Sequence, residues 1–229
     1  LWPAAGILAA AGHGNSRPIA LFLYRQVRGK QGATETMGKD SVTGPTADGL
    51  AKAARAARSK GPAPVHLWNP AFCGDLDMRI ARDGTWFYLG TPIGRPELVR
   101  LFSSILKREG DRYYLVTPVE KVGITVDDAP FVAVDFDARG AGADQVLEFV
   151  THVGDHAIAG PDHPIRVVRD RDTGEPSPYV LIRADLEALI DRKSFYRLVE
   201  LGAHHDGWFG LWSSGAFFRV IPSDELDVG

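Results

Sequence analysis

From residue 64 onward the apolar positions recur in two rhythms. Met78 and Ile80 alternate with Arg79, and Thr85-Trp86-Phe87-Tyr88-Leu89 follows Asp83-Gly84, which predicts two strands joined by a two-residue hairpin. Leu98, Leu101, Phe102, Ile105 and Leu106 fall at helical spacing, so a helix is expected that Pro96 starts and Gly110 ends. Strands follow over 113–117, 122–126 and 131–136, interrupted by Pro118 and by Asp127-Asp128. Beyond Arg139-Gly140-Ala141-Gly142-Ala143, the segments 146–153 and 165–169 read as strands. A Pro- and Gly-rich loop over 170–178 then leads to a strand at 179–183. Leu186, Leu189 and Ile190 predict a helix from Ala184. Its stripe loses phase at Lys193-Ser194 and restarts with Phe195, Leu198 and Val199, so a kink or two helices are expected. Strands at 208–212 and 216–221 close the chain, and the whole predicts an α+β fold.

Two stretches occur twice in the same order. Met78-Arg79-Ile80-Ala81-Arg82-Asp83 returns as Ile165-Arg166-Val167-Val168-Arg169-Asp170, 87 positions later. Arg95-Pro96-Glu97-Leu98-Val99-Arg100-Leu101-Phe102 returns as Arg183-Ala184-Asp185-Leu186-Glu187-Ala188-Leu189-Ile190, 88 positions later. The matched order and offset predict an internal duplication, with one hairpin, helix and strand unit over 64–139 and a second over 140–225.

Composition narrows the classes. Of 229 residues, 45% are hydrophobic and 24% charged, an ordinary globular balance. A net charge of −3 argues against a general grip on nucleic acid or anionic membrane. Cys73 is the one cysteine, so an internal disulfide and a multi-thiolate metal site are excluded, and a reducing, cytoplasmic setting is expected. No apolar run approaches the roughly 20 residues of a membrane span. Residues 1–63 are expected to be a tail and linker. The chain opens Leu1-Trp2-Pro3, and residues 1–36 are read as an extension ahead of a true start at Met37. Within the linker, Ala47 to Ser59 predicts a short helix with almost no apolar face, a loosely docked arm.

Several motifs carry a family resemblance. They are Trp68-Asn69-Pro70, Cys73-Gly74, Asp83-Gly84-Thr85-Trp86-Phe87, Thr117-Pro118-Val119-Glu120-Lys121 and Asp128-Ala129-Pro130-Phe131, followed by Arg192 to Glu200 and Trp212-Ser213-Ser214-Gly215. Together, from about Val65 to about Pro222, the chain resembles the bacterial "domain of unknown function 1285" family. The resemblance implies a duplicated α+β core whose second half is similar to a pleckstrin-homology half-open barrel. It also implies a ligand site between the halves, suggested to take a nucleotide-like molecule, and a role in signalling.

The residues themselves offer an anion site. Arg79 and Arg166 occupy equivalent strand positions, and Arg95 and Arg183 stand just before expected helix starts, where free backbone N–H groups favour an anion. The alternative is that each arginine pairs with a nearby acid and only fixes the fold. Trp68 and Asn69 lie in a Pro-flanked loop, where they would meet the ring or sugar of a nucleotide-like ligand. The remaining aromatics fill the cores. His152, His156, His163 and the His204-His205-Asp206 run carry the residue types of a metal site, but Gly154, Gly160 and Pro161 break the helical spacing it needs. No P-loop, no Gly-x-Gly-x-x-Gly and no Gly-x-Ser-x-Gly occurs, so neither cofactor nor metal is implied. The expected function is sensing of a small anionic, nucleotide-like ligand by Trp68, Asn69, Arg79, Arg95, Arg166 and Arg183 at the interface of the halves. The competing classes are a hydrolase using Asp75, Asp77 or Cys73, and a module that binds a protein partner.

Overall fold

The computed structural model describes residues 45–57 and 63–226. The expectation about residues 1–36 and Met37 lies outside the described residues. The chain folds as α+β with far more strand than helix.

The first sheet contains β1 (Phe72–Ile80), β2 (Trp86–Tyr88), β3 (Thr91–Pro92), β4 (Leu106–Glu109), β5 (Arg112–Val116) and β6 (Lys121–Val126), in the order β3-β2-β1-β6-β5-β4. The second contains β7 (Phe131–Arg139), β8 (Val146–Thr151), β9 (His156–Ile158), β10 (Ile165–Arg169), β11 (Pro176–Arg183) and β12 (Leu186–Ile190), in the order β10-β11-β12-β7-β8-β9. Each sheet is one meander running outward from the centre and one running back. In each, a single parallel pair, β1 with β6 or β12 with β7, joins the two at the middle. The two tandem units therefore share one topology. One sheet curls as a half-barrel. A smaller sheet of β13 (Ala203–His205), β14 (Trp208–Ser213) and β15 (Ala216–Pro222) closes the chain.

Three elements depart from the expectations. The helix expected from Ala184 is strand β12, whose burial alternates through Leu186, Ala188 and Ile190. Leu186, Leu189 and Ile190 fit helical spacing while Leu186, Ala188 and Ile190 fit strand alternation, and pairing with β7 and β11 decides between them. Ala184, at φ 45°, makes the turn between β11 and β12. The helix begins later, as α3 (Arg192–Glu200), because the Asp191 carboxylate accepts the Ser194 N–H at 2.7 Å; here it is the third helix in chain order.

The second departure is in the helix after Arg95, which spans Pro96–Ser104 and stops before Ile105. The Ser103 and Ser104 hydroxyls donate to the carbonyls of Arg100 and Leu101 at 2.9 and 2.7 Å, satisfying groups that would otherwise carry the helix on. Leu106 then enters β4, and Gly110, at φ 62°, belongs to the β4–β5 turn.

The third is the helix in the linker, Ala47–Ala57, which is docked. Its small residues form a buried face of Ala47, Leu50, Ala51 and Ala54 against the Pro96–Ser104 helix. In chain order these two are α1 and α2.

The hairpin at Asp83-Gly84 also has a longer turn than expected. Ala81 N–H donates to Thr85 O and Gly84 N–H to Ala81 O, so Arg82, Asp83 and Gly84 form the loop, with Gly84 at φ 85°.

The repeat is one of topology, offset from the motif matches. Those matches set β1 beside β10 and helix α2 beside strand β12. Strand β7, read from sequence as the last strand of the first unit, hydrogen-bonds within the second sheet. One contiguous apolar core runs from Leu50 through Trp86, Phe102, Phe131 and Phe149 to Ile221, so the halves are fused rather than merely adjacent.

Replacing Asp191 by Ala removes the cap of α3. We expect a loss of about 1 kcal/mol in unfolding free energy, read by urea titration, with an unchanged denaturant slope.

Candidate functional site at the seam of the halves

The turn Arg82-Asp83-Gly84 reaches from the first half onto the second. Arg82 donates to Ser177 Oγ at 2.8 Å and lies 2.9 Å from the Asp128 carboxylate. The other Asp128 oxygen accepts the Tyr179 hydroxyl at 2.7 Å. Burial, reinforced by that hydrogen bond to a carboxylate, pushes the Tyr179 pKa up to about 12. Arg166 stacks 4.2 Å over the Tyr179 ring and makes two hydrogen bonds of 2.6 Å to Glu187. Beside this network opens a cleft of about 160 Å³. Arg82 is its wall from the first half, and Ser177, Asp191, Arg192 and Tyr196 line it from the second.

The arginines expected at an anion site are placed as follows. Arg79 pairs with Asp127 at 3.3 Å and sits over Phe87. Arg166 is held by Glu187, as described. Arg183 pairs with Asp155, covers the Phe131 ring and donates to Ser103 O at 2.6 Å. It thus caps the C-terminal end of α2 from the second half, where a cation suits the helix dipole. Arg95 is exposed at the opposite end of the same helix, with no ion-pair partner among the described residues. The helix has nine residues, so Arg95 and Arg183 stand roughly 13 Å apart along its axis. Trp68 packs half-buried on the core, beside an exposed Asn69. Both precede Phe72, whereas Arg79 is near the far end of the nine-residue β1, roughly 20 Å on. Arg79 is bound to Asp127, and Arg166 packs on Tyr179, whose hydroxyl donates to the next residue, Asp128. Trp68, Asn69 and Arg95 do not join them.

The residues of the hydrolase alternative have other attachments. Asp75 pairs with Arg112 at 2.7 Å, beside an open groove of about 370 Å³ that Asp111, Tyr113 and Thr125 also line. Cys73 is exposed and its thiol contacts Ala71 O. Among the described residues, no group of three or more His, Cys, Asp or Glu is arranged to hold a metal ion. Ser213, in the closing Trp-Ser-Ser-Gly motif, is fully buried. It accepts the Leu147 N–H and donates to Ala159 O, which stitches the β14–β15 hairpin to the second sheet. No helix among the described residues is long and apolar enough to cross a membrane.

Arg82 and Ser177 were not singled out as site residues from sequence. Arg82 lies inside the first repeated motif and Asp128 inside a family motif, but no local pattern reveals that the two meet.

Comparison with known proteins defines the class. Residues 63–129 match the domain of unknown function (DUF1285), N-terminal domain, and residues 130–220 match the protein of unknown function (DUF1285), C-terminal domain. The chain belongs to the DUF1285 family. It is similar to the crystal structure of a DUF1285 family protein from Silicibacter pomeroyi DSS-3, with 72% identity and a TM-score of 0.74, over 78% of this chain and 98% of that one. A DUF1285 family protein from Shewanella baltica OS155 is 32% identical, with a TM-score of 0.42, over 54% of this chain and 90% of that one. No curated protein matches.

Arg183 joins the halves through half-buried, charge-assisted contacts, whereas Arg79 makes an exposed pair. Arg183→Ala is expected to lower the unfolding free energy by about 2 kcal/mol, and Arg79→Ala by less than about 1 kcal/mol, in parallel denaturant titrations.

Proposed function

We propose that this chain is a binding protein that takes a small anionic group in the seam cleft and converts its occupancy into a change in how the halves sit. The observation that carries this reading is the make-up of the cleft, with a guanidinium from the first half facing a wall built by the second. Arg82 is 57% exposed in its side chain, so its guanidinium, held by Asp128 and Ser177, can exchange those contacts for a ligand. At about 160 Å³ the cleft is smaller than the roughly 300 Å³ of a typical small-molecule pocket, which suits a phosphate or carboxylate end rather than a whole nucleotide. A nucleotide-like ligand would seat its anionic end there and leave its base outside. A ligand touching both walls favours the arrangement in which they are close, and that differential affinity is the signal. Arg79, Arg166, Arg183 and Arg95 do not line this cleft.

Inorganic phosphate and a panel of nucleoside monophosphates, titrated by calorimetry and thermal shift, test the reading. At least one anion should raise the melting temperature, and Arg82→Ala should weaken its binding by about tenfold or more. A panel with no binder, or an Arg82→Ala variant of unchanged affinity, overturns it.

A second reading has its own observation. Leu67, Phe72 and Val119 are 72%, 48% and 74% exposed, and the pairing of Phe72 with Lys121 sets Phe72 and Val119 at the same end of the first sheet. An apolar patch of this kind suits a protein partner.

A further inference from the structure

His152 sits where the first half's hairpin meets the second sheet. It follows β8, and its backbone N–H donates to Val132 O at 2.9 Å while its Nδ1 accepts the Val132 N–H at 3.2 Å. That acceptor role fixes the neutral ring with its proton on Nε2. Nε2 is buried, with the Gly84 backbone as its neighbour.

Gly84, at the tip of the β1–β2 hairpin, lies against the same ring. A Cβ at this position would come within 3.2 Å of His152 Cε1 and Nε2 and 3.1 Å of Val132 Cγ2. The tip therefore docks into a notch made by one titratable ring and its backbone partner. The charged groups around the notch belong to both halves. Asp83 is on the hairpin, where its carboxylate accepts the Thr85 N–H at 2.9 Å and Arg79 lies nearby. Asp155 is on the β8–β9 turn, held by Arg183 of β11.

We propose that His152 is a proton-operated clasp between the two halves, closed when the ring is neutral and opened when it is protonated. Protonation places a second N–H on Nδ1, directly facing the Val132 N–H, so an attractive contact becomes a repulsive one. The cationic ring can relieve this by turning out toward Asp83 and Asp155, which vacates the wall against which Gly84 rests. The hairpin tip then loosens. Arg82, two residues from Gly84, is carried with it away from Asp128 and Ser177. The clasp does not depend on what, if anything, the seam cleft binds.

The direction of the pH response follows from burial. Desolvation holds the His152 pKa below its ordinary value, against the opposing pull of the Val132 and Gly84 backbones and of Asp155 and Asp83. The folded state thus favours the neutral ring. The clasp's contribution is complete above the unfolded value of about 6.5, and is lost as pH falls from there through the folded pKa.

Hydrogen exchange with the wild-type chain provides the test. Protection factors over 82–88 should fall, by up to about tenfold, between about pH 7.5 and about pH 5.5. His152→Asn keeps an acceptor near the Nδ1 position but cannot titrate, and its protection there should stay flat. A wild type with no step, or an Asn variant with the same step, overturns the clasp. If the variant does not fold, NMR titration of the wild type decides. The His152 ring and the Gly84 amide should share one midpoint below the ordinary histidine value, and a Gly84 amide that ignores the ring's titration overturns the proposal.

Discussion

The shared apolar core is the constraint on which the rest of this structure depends. Trp86 and Phe102 from the first half and Phe131 and Phe149 from the second are all fully buried in one cluster. Burying each such side chain is worth about 1.5–3 kcal/mol, while an exposed ion pair contributes about 1 kcal/mol or less. The core therefore holds the halves together, and the polar contacts across the seam determine their register. Arg183 reaches the carbonyl end of α2, Arg82 reaches Asp128 and Ser177, and Gly84 fits where any side chain would strike Val132 and His152.

A recurring local device explains the arginine content. A guanidinium covers an aromatic ring and is held there by a carboxylate at Arg79 with Phe87 and Asp127, Arg166 with Tyr179 and Glu187, Arg183 with Phe131 and Asp155, and Arg197 with Phe136 and Asp135, and also at Arg112 with Phe72, Tyr114 and Asp75 and at Arg108 with Tyr113 and Asp111. The ring shields one face of the cation from water and the acid neutralises it, so the stem packs without an unpaired charge. Arginines that recur in the sequence because they stabilise such triads resemble arginines that recur to meet an anion. Only their partners separate the two cases, and for Arg79, Arg166, Arg183 and Arg197 the acids lie 21 to 62 residues away in the chain.

Both six-stranded sheets reach the same topology by different connections. A parallel pair cannot be closed by a tight turn, so each sheet needs a long excursion between its central strands. In the first half that excursion contains α2. In the second it runs through the loop from β9 to β10, and α3 comes only after the sheet is complete. The arrangement of strands is common to the halves, while the position of the helix is not.

The sequence by itself determined the α+β class, the tandem halves, the family and most of the strands, because alternation, turn residues and ordered motifs are local properties of the chain. It pointed to a helix at Leu186–Ile190, since Leu186, Leu189 and Ile190 fall at helical spacing, and the hydrogen bonds of neighbouring strands make that stretch β12 instead. It hid the docking of α1, whose buried face of alanines and one leucine has little hydrophobic signature and works by close approach. Only the tertiary structure decided that Arg82 meets Asp128 and Ser177, that Gly84 rests on His152, and that Arg95 and Arg183 occupy opposite ends of one helix. Those relations join residues from separate sheets, and what fixes them is the packing of one half on the other, which no local pattern records.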